Sequence, residues 1–202
     1  MSKLKVGITG QSGFIGYHLA QYLRLHGDEI EIVPFDAAYF RNPDRLEQFV
    51  RQCDTIVHLA AMNRGPDDEI YATNVGLVQQ LIEALERAGH IPHIIFSSST
   101  QEERDNAYGR SKREGARLLA AWAERHNARY TTLIIPNVFG PFGRPFYNSV
   151  VATFCHQLTH GLNPRVDVDA TLSLISVQDL AREIFEVIQG AYDTPVVRLS
   201  AT

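Results

Sequence analysis

Three glycines at the junction of a short apolar run and a longer amphipathic one constrain this chain more than any other feature. The run Leu4 to Thr9 leads into TGQSGFIG, which carries Gly10, Gly13 and Gly16, and an amphipathic stretch continues from Phe14 to His26. Gly10 permits a tight turn out of a strand, Gly13 keeps side-chain atoms away from an approaching anion, and Gly16 allows a helix to pack closely on the strand. The spacing is GxxGxxG rather than GxGxxG, so its meaning depends on the strand, turn and helix around it, and all three are expected here.

The same alternation runs the length of the chain. Strands are expected at Leu4–Thr9, Glu29–Phe35, Thr55–Leu59, His93–Ser97, Tyr130–Ile135, Thr171–Ser176 and near Val196–Leu199. Helices are expected at Phe14–His26, Pro43–Gln52, Asp68–Ala88, Tyr108–His126, about Val150–His160 and Val177–Gln189. Strand and helix in turn imply parallel strands joined by right-handed crossovers, hence an α/β, Rossmann-type doubly wound sheet. At 202 residues, 45% hydrophobic and 21% charged, one such domain over 1–202 can bury a core without disulfides. Cys53 and Cys155 form no CxxC pair, and a reducing cytoplasm is expected. The net charge of -4 supplies no field for nucleic acid or an acidic membrane, and the first residues are too polar for a signal or a span. The Pro-, Gly- and aromatic-rich stretch after Pro136 opens a region of about 137–175 expected to contact substrate.

These glycines, read in context, imply a dinucleotide whose pyrophosphate meets the free N–H groups of the first helix, lined by Gly10, Gly13, Phe14, Ile15 and Gly16. Asp36, twenty positions beyond Gly16, is placed to accept hydrogen bonds from the adenosine ribose and would repel a 2′-phosphate, which favours NAD over NADP. Tyr108 and Lys112 in YGRSK fall one turn apart on one helix face. An adjacent ammonium and an oxidised nicotinamide ring both favour phenolate and should lower its pKa, leaving Tyr108 able to donate or accept a proton. Ser99, in SSST after the fourth strand, can orient the same substrate oxygen. Ser99, Tyr108 and Lys112 together suggest a proton relay for hydride chemistry.

TGQSGFIG, HLAA at 58–61, Asn74, SSS at 97–99, YGRSK and NVFGP at 137–141 resemble the extended branch of the short-chain dehydrogenase/reductase superfamily, the NAD-dependent epimerase/dehydratase group. The resemblance implies that Leu59, Ala60 and Ala61 line the cofactor, as would Tyr108 and Lys112, and that Asn137 touches a sugar nucleotide. Within the branch, NRG at 63–65, SSSTQEERDNAYGRSK and RPFYNSVVATFCH are similar to the reductase domains of the bifunctional capsule and O-antigen enzymes that help make UDP-N-acetyl-L-fucosamine. That likeness implies NADPH-dependent reduction of the 4-keto group of a UDP-2-acetamido-2,6-dideoxy-hexose, with Asn63, Arg64, Arg144 and Asn148 as substrate contacts. In those enzymes a metal-binding cupin domain follows the reductase domain, and no such activity is expected of these residues. Ile134 and Gly65 depart from that family's arginine and proline.

Thr100 and Gln101 follow Ser99 where a dehydratase would carry an Asp-Glu pair, so reduction or epimerisation is preferred, and Glu102 and Glu103 are read as a solvated loop. A dinucleotide sensor or scaffold without turnover is the alternative from another class. His156 and His160 are spaced to share a metal but have no third ligand in view, and no metal is expected. A homodimer is expected through the two long helices, whose apolar faces include Val75, Val78, Leu81, Leu118, Leu119 and Trp122.

Overall fold

The computed structural model describes residues 2–166 and 169–201, so the expected substrate region of about 137–175 lies partly outside the described residues. Strands β1 (Leu4–Thr9), β2 (Ile30–Val33), β3 (Thr55–His58), β4 (His93–Ser99), β5 (Tyr130–Ile135) and β8 (Val196–Arg198) form one parallel sheet in the order β2-β1-β3-β4-β5-β8. The doubly wound α/β class read from the sequence is the fold observed. Strands β6 (Asn137–Phe139) and β7 (Leu174–Ser176) pair separately, so a stretch expected to be loop after Pro136 holds a short strand.

Neighbouring residues in the central strands point to opposite faces and seed two cores. Val57 and Ile95 face helices α1 (Phe14–Leu25) and α6 (Val177–Gln189), where Leu19, Leu23, Leu180 and Ile184 are fully buried. Ile56 and Ile94 face α2 (Pro43–Val50), α3 (Asp67–Ala88) and α4 (Ala107–His126), against Leu46, Phe49, Leu81, Leu119 and Trp122. Burial on both sides explains why these strands read as continuous apolar runs rather than alternating ones. Five of the six residues assigned to a dimer face, Val75, Val78, Leu81, Leu119 and Trp122, are buried within the protomer, and Leu118 packs against the same core. They are consumed by folding, and a partner would have to use the outer faces of α3 and α4.

The sequence order reverses at β1, with β2 on one side and β3 on the other. In open α/β sheets, ligands collect outside the carboxyl ends of the strands at such a reversal. The chain leaves β1 at Gly10 and β3 at Leu59, so the glycine turn opens at that crevice.

Candidate functional site

The crossing of two chain segments at the sheet reversal leaves no room for side chains. Gly10 has φ 74, and a Cβ there would lie 2.9 Å from the Ala60 nitrogen; one on Gly16 would lie 2.2 Å from the Gly10 carbonyl oxygen. Thr9 Oγ1 accepts from the Ala60 N–H at 3.3 Å and lies 2.8 Å from His58 Nδ1, tying β1 to β3 at the crevice floor. Burial first, and then the Lys112 charge, push the His58 pKa down to about 3, so the ring is neutral. Gly13 caps α1 with no side-chain hydrogen bond, and the first turn carries no acidic residue. The helix end therefore offers its N–H groups and positive dipole to an anion.

The second wall is built from β4 and α4. Lys112 is 3% exposed, and its Nζ donates to the Ser97 carbonyl at 2.8 Å while lying 5.5 Å from the Tyr108 ring centroid. Burial pushes Lys112 down to about 8 and Tyr108 up to about 12. Without the nicotinamide, burial alone sets the direction for Tyr108, so the lysine by itself does not bring the phenol down. The three serines have separate duties. Ser97 Oγ donates to the His58 carbonyl at 3.0 Å, Ser98 Oγ donates to the Glu102 carboxylate, and Ser99 Oγ accepts from the Gln101 N–H at 3.2 Å. Glu102 is thus a half-buried partner of β4 rather than a solvated loop residue. Asn106 Oδ1 caps α4 through the Gly109 N–H at 2.7 Å, which fixes where Tyr108 leaves the helix.

Between these walls lies a cleft of about 940 Å³, lined by Gly10, Gly13, Phe14, Ile15, Gly16, Leu59, Ala61, Asn63, Ser99, Tyr108, Lys112, Asn137, Arg144 and Asn148 among others. Three expected site residues lie apart from its lining. Ala60 stands behind Gly10, Arg64 sits on the rim, and Asp36 is exposed beyond β2, where its Oδ1 accepts from the Ala38 N–H at 2.7 Å to cap the 3₁₀ turn Ala37–Arg41.

Residues 6–196 match the NAD dependent epimerase/dehydratase family. The chain belongs to that family. The UDP-2-acetamido-2,6-beta-L-arabino-hexul-4-ose reductase of Pseudomonas aeruginosa is 34% identical over 195 residues, covering 96% of this chain and 52% of that protein. The structure of the capsular polysaccharide assembling protein CapF from Staphylococcus aureus is 30% identical, with a TM-score of 0.76 over 97% of this chain and 52% of CapF. The chain therefore spans about half the length of both. RMD from Pseudomonas aeruginosa, complexed with NADPH, shares the fold at a TM-score of 0.85 and 20% identity over 98% of this chain and 78% of its own.

The residues present fit the dinucleotide that the epimerase/dehydratase family implies: a glycine cradle that any Cβ would fill opens on an uncapped helix end free of acidic groups. Sequence reasoning passed over Tyr147, which lines the cleft and donates its hydroxyl hydrogen to Asn63 Oδ1 at 3.0 Å. It also gave no role to the buried clamp in which Asn74 Nδ2 donates to the Met62 carbonyl at 2.9 Å and to Ser111 Oγ at 2.9 Å. The aromatic between Arg144 and Asn148 was the available signal for the first. For the second, Asn74 was already among the residues of the family resemblance, but nothing in the sequence pointed to its partners Met62 and Ser111.

Proposed function

We propose that this chain is a nicotinamide-dependent reductase acting on the 4-keto group of a UDP-linked 2-acetamido-2,6-dideoxy-hexulose, in the cytoplasmic synthesis of a surface polysaccharide. One observation carries the reading: a buried ammonium, Lys112, is fixed on the Ser97 carbonyl beside Tyr108, in the same cleft as the glycine turn. A solvated pair of helix residues would not bury a lysine.

The reduced cofactor, when bound, supplies the hydride. The N–H groups opening α1 hold its pyrophosphate, with Gly10, Gly13 and Gly16 keeping the approach clear, and Leu59 and Ala61 wall its other side. Lys112 holds the nicotinamide ribose. Tyr108 gives its proton to the ketone oxygen as the carbon receives the hydride, so the ketone becomes an alcohol and the phenol is left to recover a proton from solvent. Burial pushes the phenol up to about 12, so without cofactor it is protonated throughout the neutral range. Ser99 orients the ketone oxygen, and Asn63, Asn137, Arg144 and Asn148 contact the sugar nucleotide. Asp36 favours NADH, whereas the likeness to capsule reductase domains favours NADPH.

The proposal includes one domain over residues 1–202 and a homodimer through the outer faces of α3 and α4, where Asp67, Asp68 and Tyr71 stand beside Arg110, Arg113 and Arg117. Light scattering at micromolar concentration that returned a monomer would remove the dimer. For the reaction, purified protein should consume NADH or NADPH when given the UDP-4-keto sugar. Tyr108→Phe should lower turnover by about 10² to 10⁴ while leaving cofactor affinity unchanged. Full activity in that variant would overturn the mechanism.

A further inference from the structure

The turn that opens the loop after β6 is built against the preference of its residues. The Gly143 N–H donates to the Gly140 carbonyl at 3.2 Å, closing a turn with Pro141 second and Phe142 third. Phe142 has φ 66. Proline followed by a left-handed residue is the pattern of a type II turn, whose third position suits glycine or asparagine because a bulky side chain is strained there. Burial does not compensate, since Phe142 is 80% exposed.

What holds the turn is α1. His18 Nε2 lies 2.9 Å from the Pro141 carbonyl oxygen, and because a carbonyl only accepts, the ring carries a hydrogen on Nε2 and donates it. The same ring stacks on Phe142, with centroids 5.9 Å and planes 26° apart, while Tyr17 meets Phe142 edge-on at 6.0 Å. One helical turn before His18, Phe14 meets it edge-on at 5.4 Å, and Phe14 lines the cleft beside Gly13. Rings therefore run without a break from the start of α1 to the turn. Immediately beyond the turn, the loop supplies Arg144, Tyr147 and Asn148 to the cleft lining. A strained residue persists where its surroundings over-determine it, and such positions gather at working sites. Here the surroundings are Tyr17 and His18, to which the hydride chemistry gives no part.

We infer that His18 is a positioning residue that fixes the loop after β6 to α1, so that the substrate side of the cleft takes its shape from the helix on the cofactor side. This deepens the nucleotide-sugar reading and rests on it for the choice of probe. His18 is absent from the cleft lining, so it acts through Pro141 and Phe142 and takes no part in reduction. With the loop anchored before any ligand arrives, less ordering remains to be done on binding, and loss of the anchor should appear as lost substrate affinity.

Three variants separate the parts of the contact. His18→Leu removes donor and ring, His18→Phe keeps a ring without the donor, and His18→Gln keeps a donor without the ring. With NADPH saturating, His18→Leu should weaken UDP in calorimetric titration by about ten-fold. The KM of the UDP-4-keto sugar should rise to match, while kcat, NADPH affinity and melting temperature stay at wild-type values. His18→Phe and His18→Gln should each fall between wild type and the leucine variant. Chymotrypsin gives a second readout that needs no ligand, because Phe142, Phe146 and Tyr147 are residues it cleaves after. Cuts there, identified by mass, should come faster in His18→Leu than in wild type. UDP affinity in His18→Leu equal to that of wild type would overturn the positioning role, whatever the cleavage rate. NADPH affinity and melting temperature lost in step with UDP would also overturn it, since they would mark a damaged helix. If wild type itself bound no UDP, the nucleotide-sugar reading would fall; faster loop cleavage in His18→Leu would then still uphold the anchor, and equal cleavage would remove both.

Discussion

Lys112 Nζ donates to the Ser97 carbonyl at 2.8 Å, which joins the helix carrying Tyr108 to the strand carrying Ser99. Burial pushes this ammonium down to about 8 from 10.5. Between those pH values the unfolded chain holds a proton that the folded chain has released, so the Lys112 contribution makes wild type more stable as pH rises through the window. Lys112→Met removes the buried charge and, with it, a penalty of at most about 3 kcal/mol at neutral pH. It also leaves the Ser97 carbonyl without this donor, at a cost of about 1–3 kcal/mol. The two nearly cancel, so the pH dependence is the informative quantity. Urea unfolding of the cofactor-free protein should show the stability of the methionine variant relative to wild type falling between pH 8 and 10.5. Tyrosine titrations are common to both proteins and drop out of the difference. A difference flat across that window would mean that Lys112 keeps an ordinary pKa.

His58 titrates at the other end of the scale. It is held neutral by burial and by Lys112 down to about 3, whereas the unfolded residue protonates near 6.5. The unfolded state therefore binds the extra proton first, and stability should be lost as pH falls from about 6.5 towards 3. His58→Asn keeps a polar atom near Thr9 but gives up the ring stacked on Phe96 at 5.9 Å. The variant should be less stable than wild type at pH 7, and its further loss on acidification to pH 4 should be smaller. His93, pushed down to about 4, contributes equally to both proteins. Equal acid losses in the two would remove His58 from the account.

Two glycines in helices should respond to alanine in opposite directions. A Cβ on Gly16 would lie 2.2 Å from the Gly10 oxygen, and backbone cannot move aside without opening the turn. Gly16→Ala should cost about 1–3 kcal/mol or more and weaken cofactor binding with it. Gly76, in the middle of α3, has nothing within 4 Å of the corresponding position. Gly76→Ala should stabilise by up to about 1 kcal/mol, read as a rise of roughly 2–4 °C in melting temperature. A loss at Gly76 would point to a close neighbour on that face, such as the helix of a second protomer.

How much of this was legible in the sequence depends on the range of the forces involved. Strands such as Thr55–His58 and helices such as Val177–Gln189 follow from local apolar patterning, and the glycine turn follows from backbone sterics at Gly10 and Gly16. Strand β2 stops at Val33 instead of Phe35 because Pro34 and the capped turn at Asp36 take over, a local competition that periodicity does not register. Apolar residues on α3 and α4 read equally well as core or as dimer face, and only the packing of Trp122 and Leu81 against Ile94 and Phe96 assigns them to the core. The site divides in the same way. Ser99, Tyr108 and Lys112 fall in one cleft because each sits at a fixed distance from an element end. The burial that raises Tyr108 and lowers Lys112 belongs to the packed state and is not legible in YGRSK, and the Tyr147 contacts join loops some eighty residues apart.

The cofactor preference proposed for Asp36 can be separated from its structural duty. Its Oδ1 caps the turn after β2 at 2.7 Å from the Ala38 nitrogen, and its side chain is exposed; on the proposed reading the same charge would repel a 2′-phosphate. Asp36→Asn keeps an oxygen for the cap and discards the charge. The ratio of NADPH to NADH affinity should then rise about ten-fold, with stability within about 0.5 kcal/mol of wild type. Asp36→Ala should shift the ratio similarly while losing about 1 kcal/mol with the cap. Fluorescence titration of both cofactors with a paired denaturation curve measures each effect. If Asp36→Asn left the ratio unchanged while Asp36→Ala lost stability, the carboxylate would serve the turn alone, and discrimination against the phosphate would have to come from elsewhere along the crevice.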